Sequence, residues 1–280
     1  MYESYYGFRE KPFNLTPDPR FLYLSLAHRD ALAYLTYGLR EKKGFLVVVG
    51  EAGTGKTTLA RAVVERIGAE VDLAFVLTTR LNMKMLLTLA MHDLGLKVKG
   101  LNMAEMLIAF NEYLLERTQQ GRSVVLIIDE AQNLSVAVLE ELRMLSNLET
   151  AREKLLQIVL LGQPELLEKL ESDRLRQLRQ RVPGIALLRP LTADEVGPYL
   201  VNRLHVAGVD RPLLAPGADA EVYRQTGGIP RLINMLADRM FLLGYVDGVE
   251  QLDSRLVLEA CSDLGRKPMA EEQASYEPHL

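Results

Sequence analysis

Short apolar runs occupy positions 45–49, 73–77, 124–128 and 158–161, and a fifth, 184–188, follows a basic stretch. Each run is continuous instead of alternating, and segments with helical spacing separate them. Strands read this way when helices cover both faces of a parallel sheet, because neither side then meets water. The spacing predicts a helix over 102–119, where Met103, Met106, Leu107, Phe110, Tyr113 and Leu114 recur at three and four. Those side chains are read as core. The pattern is that of an α/β domain with a five-stranded parallel sheet flanked by helices.

After Pro190 the texture changes. Thr192-Ala193-Asp194-Glu195 reads as a helix start with a capping threonine. It opens three or four helices that run to about Leu264 with no convincing strand. The expected division is therefore an N-terminal arm plus the α/β domain over 1–190, a small all-helical domain over 191–266, and a polar, frayed tail over 267–280.

Composition narrows the classes. Of 280 residues 48% are apolar and 25% charged, which is ordinary globular composition with room for a large and a small domain. A formal charge of −4 gives no sign of nucleic-acid binding, although a local basic patch is compatible with it. The one cysteine, Cys261, excludes an intrachain disulfide framework and suits a reducing compartment. The start, Met1-Tyr2-Glu3-Ser4-Tyr5-Tyr6, lacks a signal peptide's basic opening and apolar run. No apolar stretch approaches the ~20 residues of a membrane span. A soluble, cytoplasmic protein is expected.

The strongest chemical signal is Gly50-Glu51-Ala52-Gly53-Thr54-Gly55-Lys56-Thr57, followed by Thr58. It matches the phosphate-loop pattern and lies between a strand and a helical segment, where such a loop must sit. Glycines permit a tight turn whose N–H groups point inward at phosphate oxygens, and the next helix adds its positive N-terminal end. Lys56 is placed to reach the β- and γ-phosphates of ATP, and the Thr57 hydroxyl to hold Mg²⁺. The run 124–128 ends in Asp129-Glu130, at a strand end where ligands bind in open α/β sheets. Asp129 is the second expected Mg²⁺ group, through water, and Glu130 the group that orients the attacking water. Two carboxylates after a strand can also cap the helix that follows.

Two arginine regions bear on phosphoryl transfer, since a guanidinium fork stabilises charge spread over a γ-phosphate. Arg174, Arg176, Arg179 and Arg181 lie between the fourth and fifth strand candidates, and some belong to a solvated helix face. Gly227-Gly228-Ile229-Pro230-Arg231 opens a helix in the all-helical part.

With these residues the sequence resembles the AAA+ ATPases. The resemblance makes the phosphate loop Walker A and Asp129-Glu130 Walker B. It places Gln163, after the fourth run, at the sensor 1 position, which is more often asparagine, threonine or serine. It assigns Arg231 to the nucleotide as sensor 2, and Arg181 best fits the arginine finger, with Arg179 a competitor. A narrower similarity, reaching to about Leu264, is to the family of general secretion pathway protein A. It is carried by Tyr6-Gly7-Phe8, Lys11-Pro12-Phe13, Thr16-Pro17-Asp18-Pro19-Arg20-Phe21-Leu22-Tyr23, Tyr37-Gly38-Leu39, Asp129-Glu130-Ala131-Gln132-Asn133-Leu134 and Leu161-Gly162-Gln163-Pro164-Glu165-Leu166. In that family the ATPase helps assemble the type II secretion channel of the outer membrane, and relatives serve pilus biogenesis and exopolysaccharide export.

That resemblance implies a nucleotide-dependent homo-oligomer, envelope partner proteins as clients, and an arm that packs beside adenine. Read from its residues alone, the arm is an extended segment set by Pro12, Pro17 and Pro19, and burial of Phe13, Phe21 and Tyr23 over the core is the other reading. Secretion members usually continue into a transmembrane helix and a peptidoglycan-binding domain, and neither is found here. The expectation is the cytoplasmic part of a longer, inner-membrane protein, or a soluble relative with another client. A DNA-associated transposition ATPase and a slow nucleotide-gated switch are the alternatives, and a GTPase is disfavoured because no Asn-Lys-x-Asp motif occurs.

Overall fold

The computed structural model describes residues 1–77, 81–150 and 153–265, so the expected tail lies outside the described residues. In chain order the helices and strands begin with α1 (Tyr2–Tyr6), α2 (Leu26–Arg40), β1 (Phe45–Gly50), α3 (Lys56–Ile67), β2 (Val71–Leu77), α4 (Met83–Asp93) and α5 (Met103–Gln119). They continue with β3 (Ser123–Asp129), α6 (Val136–Leu145), β4 (Leu156–Gly162), α7 (Pro164–Glu171), α8 (Arg176–Arg179) and β5 (Ile185–Leu188). Last come α9 (Ala193–Val206), α10 (Ala218–Thr226), α11 (Pro230–Val246) and α12 (Ser254–Asp263). These elements form two compact units. Among the described residues, one comprises Leu26–Ala52 and Lys56–Leu188; the other comprises Met1–Ser25, Gly53–Gly55 and the chain from Arg189 to Gly265.

The unit built on Leu26–Ala52 and Lys56–Leu188 contains a five-stranded sheet in the order β2-β3-β4-β1-β5. Every pairing is parallel, with Val47 opposite Leu160 on one side and Ile185 on the other. All six residues of β1 and all seven of β4 are buried, which is why those runs are apolar without alternation. The edge strand β2 starts two residues before its apolar run. Its extra residue Asp72 is polar yet strand-bound, because its carboxylate pairs with the guanidinium of Arg122, the residue just before β3. α2 lies tight on β1, where a Cβ at Gly38 would come within 2.2 Å of the Leu46 side chain. Asn102 caps α5 reciprocally with Glu105, so the helix begins where its spacing begins.

The remaining unit corrects one expectation. The N-terminal arm does not group with the sheet; its aromatic residues fill the core of the helical unit. Phe241 of α11 is the hub: Tyr6, Phe8 and Phe13 place their rings 5.0, 5.3 and 5.5 Å from its centroid. Phe13 and Phe21 are 2% and 5% exposed, as the core reading of the arm requires. Arg203 of α9 ties the arm down. Its buried guanidinium donates to the carbonyls of Pro12 and Asn14 and lies 4.8 Å from the Phe21 ring centroid. Carbonyl oxygens and ring faces thus compensate a charge that burial alone would penalise. α9 starts as expected, with the Glu195 carboxylate accepting from the Thr192 N–H at 3.1 Å. Among the described residues, no helix is long and apolar enough to cross a membrane.

Candidate functional site

The loop between β1 and α3 needs left-handed backbone at two points, Gly53 (φ 84°) and Gly55 (φ 98°), where a side chain would be strained. α3 opens at Lys56 with no acidic residue in its first turn, so the unpaired N–H groups there keep their positive character. Lys56 is 5% exposed, and its ammonium donates to the carbonyls of Gly50 at 2.6 Å and Glu51 at 2.9 Å. Burial pushes its pKa down, against the opposing pull of Glu130, Asp129, Glu51 and Glu165. Among the described residues it forms no ion pair. A buried cation held by carbonyls is costly unless an anion joins it, and such a site fits a phosphate chain. Thr54, within the loop, is fully buried, Glu51 and Ala52 are exposed, and Thr58 is half-buried on α3.

One residue after Lys56, the Thr57 hydroxyl donates to Asp129 Oδ2 at 2.5 Å. Asp129 closes β3 and is 3% exposed, and its Oδ1 accepts the Glu130 N–H at 2.9 Å. A hydroxyl and a carboxylate, both hard oxygen groups, suit Mg²⁺, which keeps several waters and shares phosphate oxygens. Among the described residues no cluster of three or more His, Cys, Asp or Glu side chains offers a metal cage, so the fit is to a cation held jointly with a ligand.

Glu130 adopts left-handed backbone at φ 54°, a conformation that among described non-glycine residues only Lys42 shares. Such strain persists where the surroundings hold it in place. The turn aims the side chain back toward the strand ends, where Glu130 Oε2 accepts from Gln132 Nε2 at 2.6 Å and from Gln163 Nε2 at 3.1 Å. The helix-capping alternative for the acidic pair fails here. Glu130 makes no cap bond to the 3₁₀ turn Ala131–Asn133, and α6 is capped instead by the Ser135 hydroxyl, which accepts from Val138 N–H.

Five residues singled out from sequence are therefore close together: Lys56, Thr57, Asp129, Glu130 and Gln163. Two more join them without having been singled out. Gln132 bridges Glu130 and the Gln163 main chain, and Lys169 donates to the carbonyls of Gln132 and Leu134. A glutamine after an acidic pair and a lysine in a short helix carry no spacing signal.

The arginines separate. In the helical unit Arg231 is exposed, at the second position of α11, and its N–H donates to the Gly53 carbonyl at 3.1 Å. The turn before it is closely fitted: Leu191 N–H donates to the Gly228 carbonyl, and a Cβ on Gly228 would fall 1.9 Å from the Leu191 oxygen. In the sheet unit, Arg179 donates to the Val182 carbonyl at 3.2 Å and so fastens the end of α8. Arg174 and Arg176 are exposed. Arg181 is half-buried between α8 and β5, and its guanidinium makes no hydrogen bond or ion pair among the described residues.

A parallel sheet ordered β2-β3-β4-β1-β5, with a phosphate loop after β1 and a carboxylate pair after β3, defines the AAA+ P-loop NTPase fold. The AAA domain family matches residues 39–170. The chain resembles general secretion pathway protein A of Aeromonas hydrophila, to which it is 41% identical over 255 residues, covering 90% of this chain. It spans 46% of that relative's length. Among solved structures, the ORC2 protein of Aeropyrum pernix is similar with a TM-score of 0.73 at 19% identity, over 96% of this chain and 76% of that one. Cdc6p of Pyrobaculum aerophilum gives 0.71 at 19% identity, over 99% and 74%. The RuvB Holliday junction branch migration motor of Thermotoga maritima gives 0.53 at 18%, over 84% and 69%. At such identities the likeness is one of fold.

Proposed function

We propose that the chain binds ATP with Mg²⁺, hydrolyses it, and uses the cycle to drive or gate assembly of an envelope secretion or pilus-type complex. The observation that carries the enzymatic reading is the buried Lys56 ammonium, held by two carbonyls beside the Thr57–Asp129 pair. In this reading the loop N–H groups of residues 50–58 and Lys56 bind the phosphates, and Thr57 and Asp129 hold Mg²⁺. The bound cation supplies positive charge that offsets charge on the phosphate oxygens. Glu130 orients the attacking water, and Gln163 holds the Glu130 carboxylate from β4's end. Arg231 contacts the nucleotide. Arg181, whose guanidinium makes no hydrogen bond or ion pair among the described residues, acts on a neighbouring subunit's site in a homo-oligomer.

The client rests on the 41% identity to general secretion pathway protein A, whose name places it in a secretion pathway. We read the chain as a cytoplasmic protein acting on envelope partner proteins, a reading that this likeness supports. Two measurements test the enzyme. Turnover should rise more steeply than linearly with protein concentration. Glu130→Gln should retain Mg·ATP binding and lose ~10²–10⁴-fold in rate, the range general acid–base groups contribute. Near-normal turnover in this variant would move the water-orienting role elsewhere. Duplex DNA, added at two salt concentrations, should leave the rate unchanged; salt-sensitive stimulation would favour a DNA-associated ATPase.

A further inference from the structure

We infer that Gln132 is a positioning residue for Glu130, and that Lys169 fixes Gln132 by stapling the turn that carries it. The inference rests on the proposed role of Glu130 in orienting water, and it adds two residues to that role.

A glutamate side chain with three rotatable bonds does not hold a water in one place unaided. The arrangement around Glu130 removes that freedom in steps. The Gln163 main-chain N–H donates to Gln132 Oε1 at 3.1 Å. A main-chain N–H can only donate, so this bond decides which end of the Gln132 amide is oxygen. The other end, Nε2, then faces Glu130 Oε2 at 2.6 Å as a donor. Gln163 adds its own Nε2 to the same oxygen at 3.1 Å. Two amides, one on the turn and one just past the end of β4, thereby pin one carboxylate oxygen, and the remainder of the group is oriented with it. The Gln132 amide is the better placed of the two, being closer and itself anchored.

Gln132 sits on the 3₁₀ turn Ala131–Asn133, too short to be rigid through its own hydrogen bonds. Lys169 supplies the stiffness. Its ammonium donates to the carbonyls of Gln132 at 2.5 Å and Leu134 at 2.8 Å, one within the turn and one just past it. Lys169 is itself held because its helix α7 is seated in the core by Leu166 and Leu170, both fully buried. The helix leaves β4 so closely that a Cβ on Gly162 would lie 2.5 Å from the Leu166 side chain. The chain of support runs from the core through Lys169 to the turn, and from the turn through Gln132 to Glu130. A lysine serving only solubility would point its ammonium into water instead of bonding two carbonyls.

The test compares Gln132→Leu, Gln132→Glu, Lys169→Met and Lys169→Arg with wild type and Glu130→Gln, by steady-state kinetics, Mg·ATP calorimetry and amide exchange without nucleotide. Gln132→Leu should lower kcat by up to about 10²-fold, the scale of a misplaced group, with KM and Mg·ATP affinity near wild type. Gln132→Glu keeps the shape but turns a donor toward Glu130 into an acceptor, and should lose as much. Lys169→Met should lose less, Lys169→Arg should recover part, and Lys169→Met added to Gln132→Leu should cost little more, because one acts through the other. In the nucleotide-free protein the Gln163 amide should exchange faster in Gln132→Leu and in Lys169→Met. Wild-type kcat in both Gln132 variants, alongside an inactive Glu130→Gln, overturns the inference. Independent, additive losses for Lys169 and Gln132 overturn its second half. Retained turnover in Glu130→Gln instead sinks the underlying reading of Glu130.

Discussion

Thr57 and Asp129, 72 residues apart in sequence, are joined by a hydrogen bond of 2.5 Å that links the first turn of α3 to the last residue of β3. The bond brings together the two oxygen groups assigned to Mg²⁺, and it can be tested by removing one of them. Thr57→Ala leaves the phosphate loop and Lys56 intact. Nucleotide should still bind in the absence of Mg²⁺, while the gain in affinity on adding Mg²⁺ should largely disappear, measured by calorimetry with and without the metal. An unaltered Mg²⁺ effect would remove Thr57 from the cation's shell.

The Arg181 guanidinium, unpaired among the described residues, is expected to act in trans. Arg181→Ala should bind ATP normally and hydrolyse it poorly, since such arginines are worth ~10³–10⁵ in rate in related NTPases. Lys56→Ala should fail for lack of tight ATP binding. Mixing the two inactive variants pairs a sound loop with a sound arginine at some interfaces, and part of the activity should return. No recovery in variants proven to co-assemble would return Arg181 to a structural role, with Arg179 the next to test.

Gly228 and Gly95 both have left-handed backbone, at φ 74° and 79°, but only Gly228 has a neighbour in the way. Alanine at either pays the left-handed strain, ~1–2 kcal/mol. At Gly228 the new methyl also meets the Leu191 carbonyl at 1.9 Å, with backbone that cannot swing aside. Thermal unfolding should therefore show a modest loss for Gly95→Ala and a much larger one for Gly228→Ala. Equal losses would mean that the 189–228 junction gives way easily.

Asp72 supplies the pH dependence. Its hydrogen bond with Arg122 is the largest influence holding its carboxyl below the ordinary value of 3.8, and Arg117 adds to it against the effect of burial. A depressed folded pKa means the unfolded chain binds the proton first, so the stabilisation is complete above about 3.8 and is lost as pH falls through the folded value. Asp72→Asn should lower stability at neutral pH and flatten the acid side of the stability curve. A wild-type acid dependence in that variant would show that other carboxylates govern it.

Much of this architecture was legible in the residues. The five strands stand where continuous apolar runs stand; in β1, β3 and β4 burial on both faces leaves no polar position to blur the signal, while the edge strands β2 and β5 are only partly buried. The phosphate loop was legible because its chemistry demands residue types at fixed spacing. β2 was read short, since Asp72 breaks the apolar run while satisfying the strand through Arg122. The arm was misplaced because its partners, Phe241 and Arg203, lie about two hundred residues away, and spacing along the chain says nothing about which distant faces meet. Gln132 and Lys169 were missed for a related reason. Their contribution is orientation, which depends on a turn's path and leaves no periodic mark.

The arm's place in the helical unit has a consequence for how the protein is made. Tyr2 hydrogen-bonds Asp238, 236 residues later, so the arm's aromatic residues leave the ribosome well before the helices that complete their core. At translation rates of ~5–20 residues per second, roughly 10–50 s pass before their partners exist. Throughout that interval the sheet unit can form from 26–188, while Tyr6, Phe8, Phe13 and Phe21 stay in water, open to chaperones and to one another. The arm is therefore open to aggregation for longer than the sheet unit, and slowing elongation should lengthen the exposure.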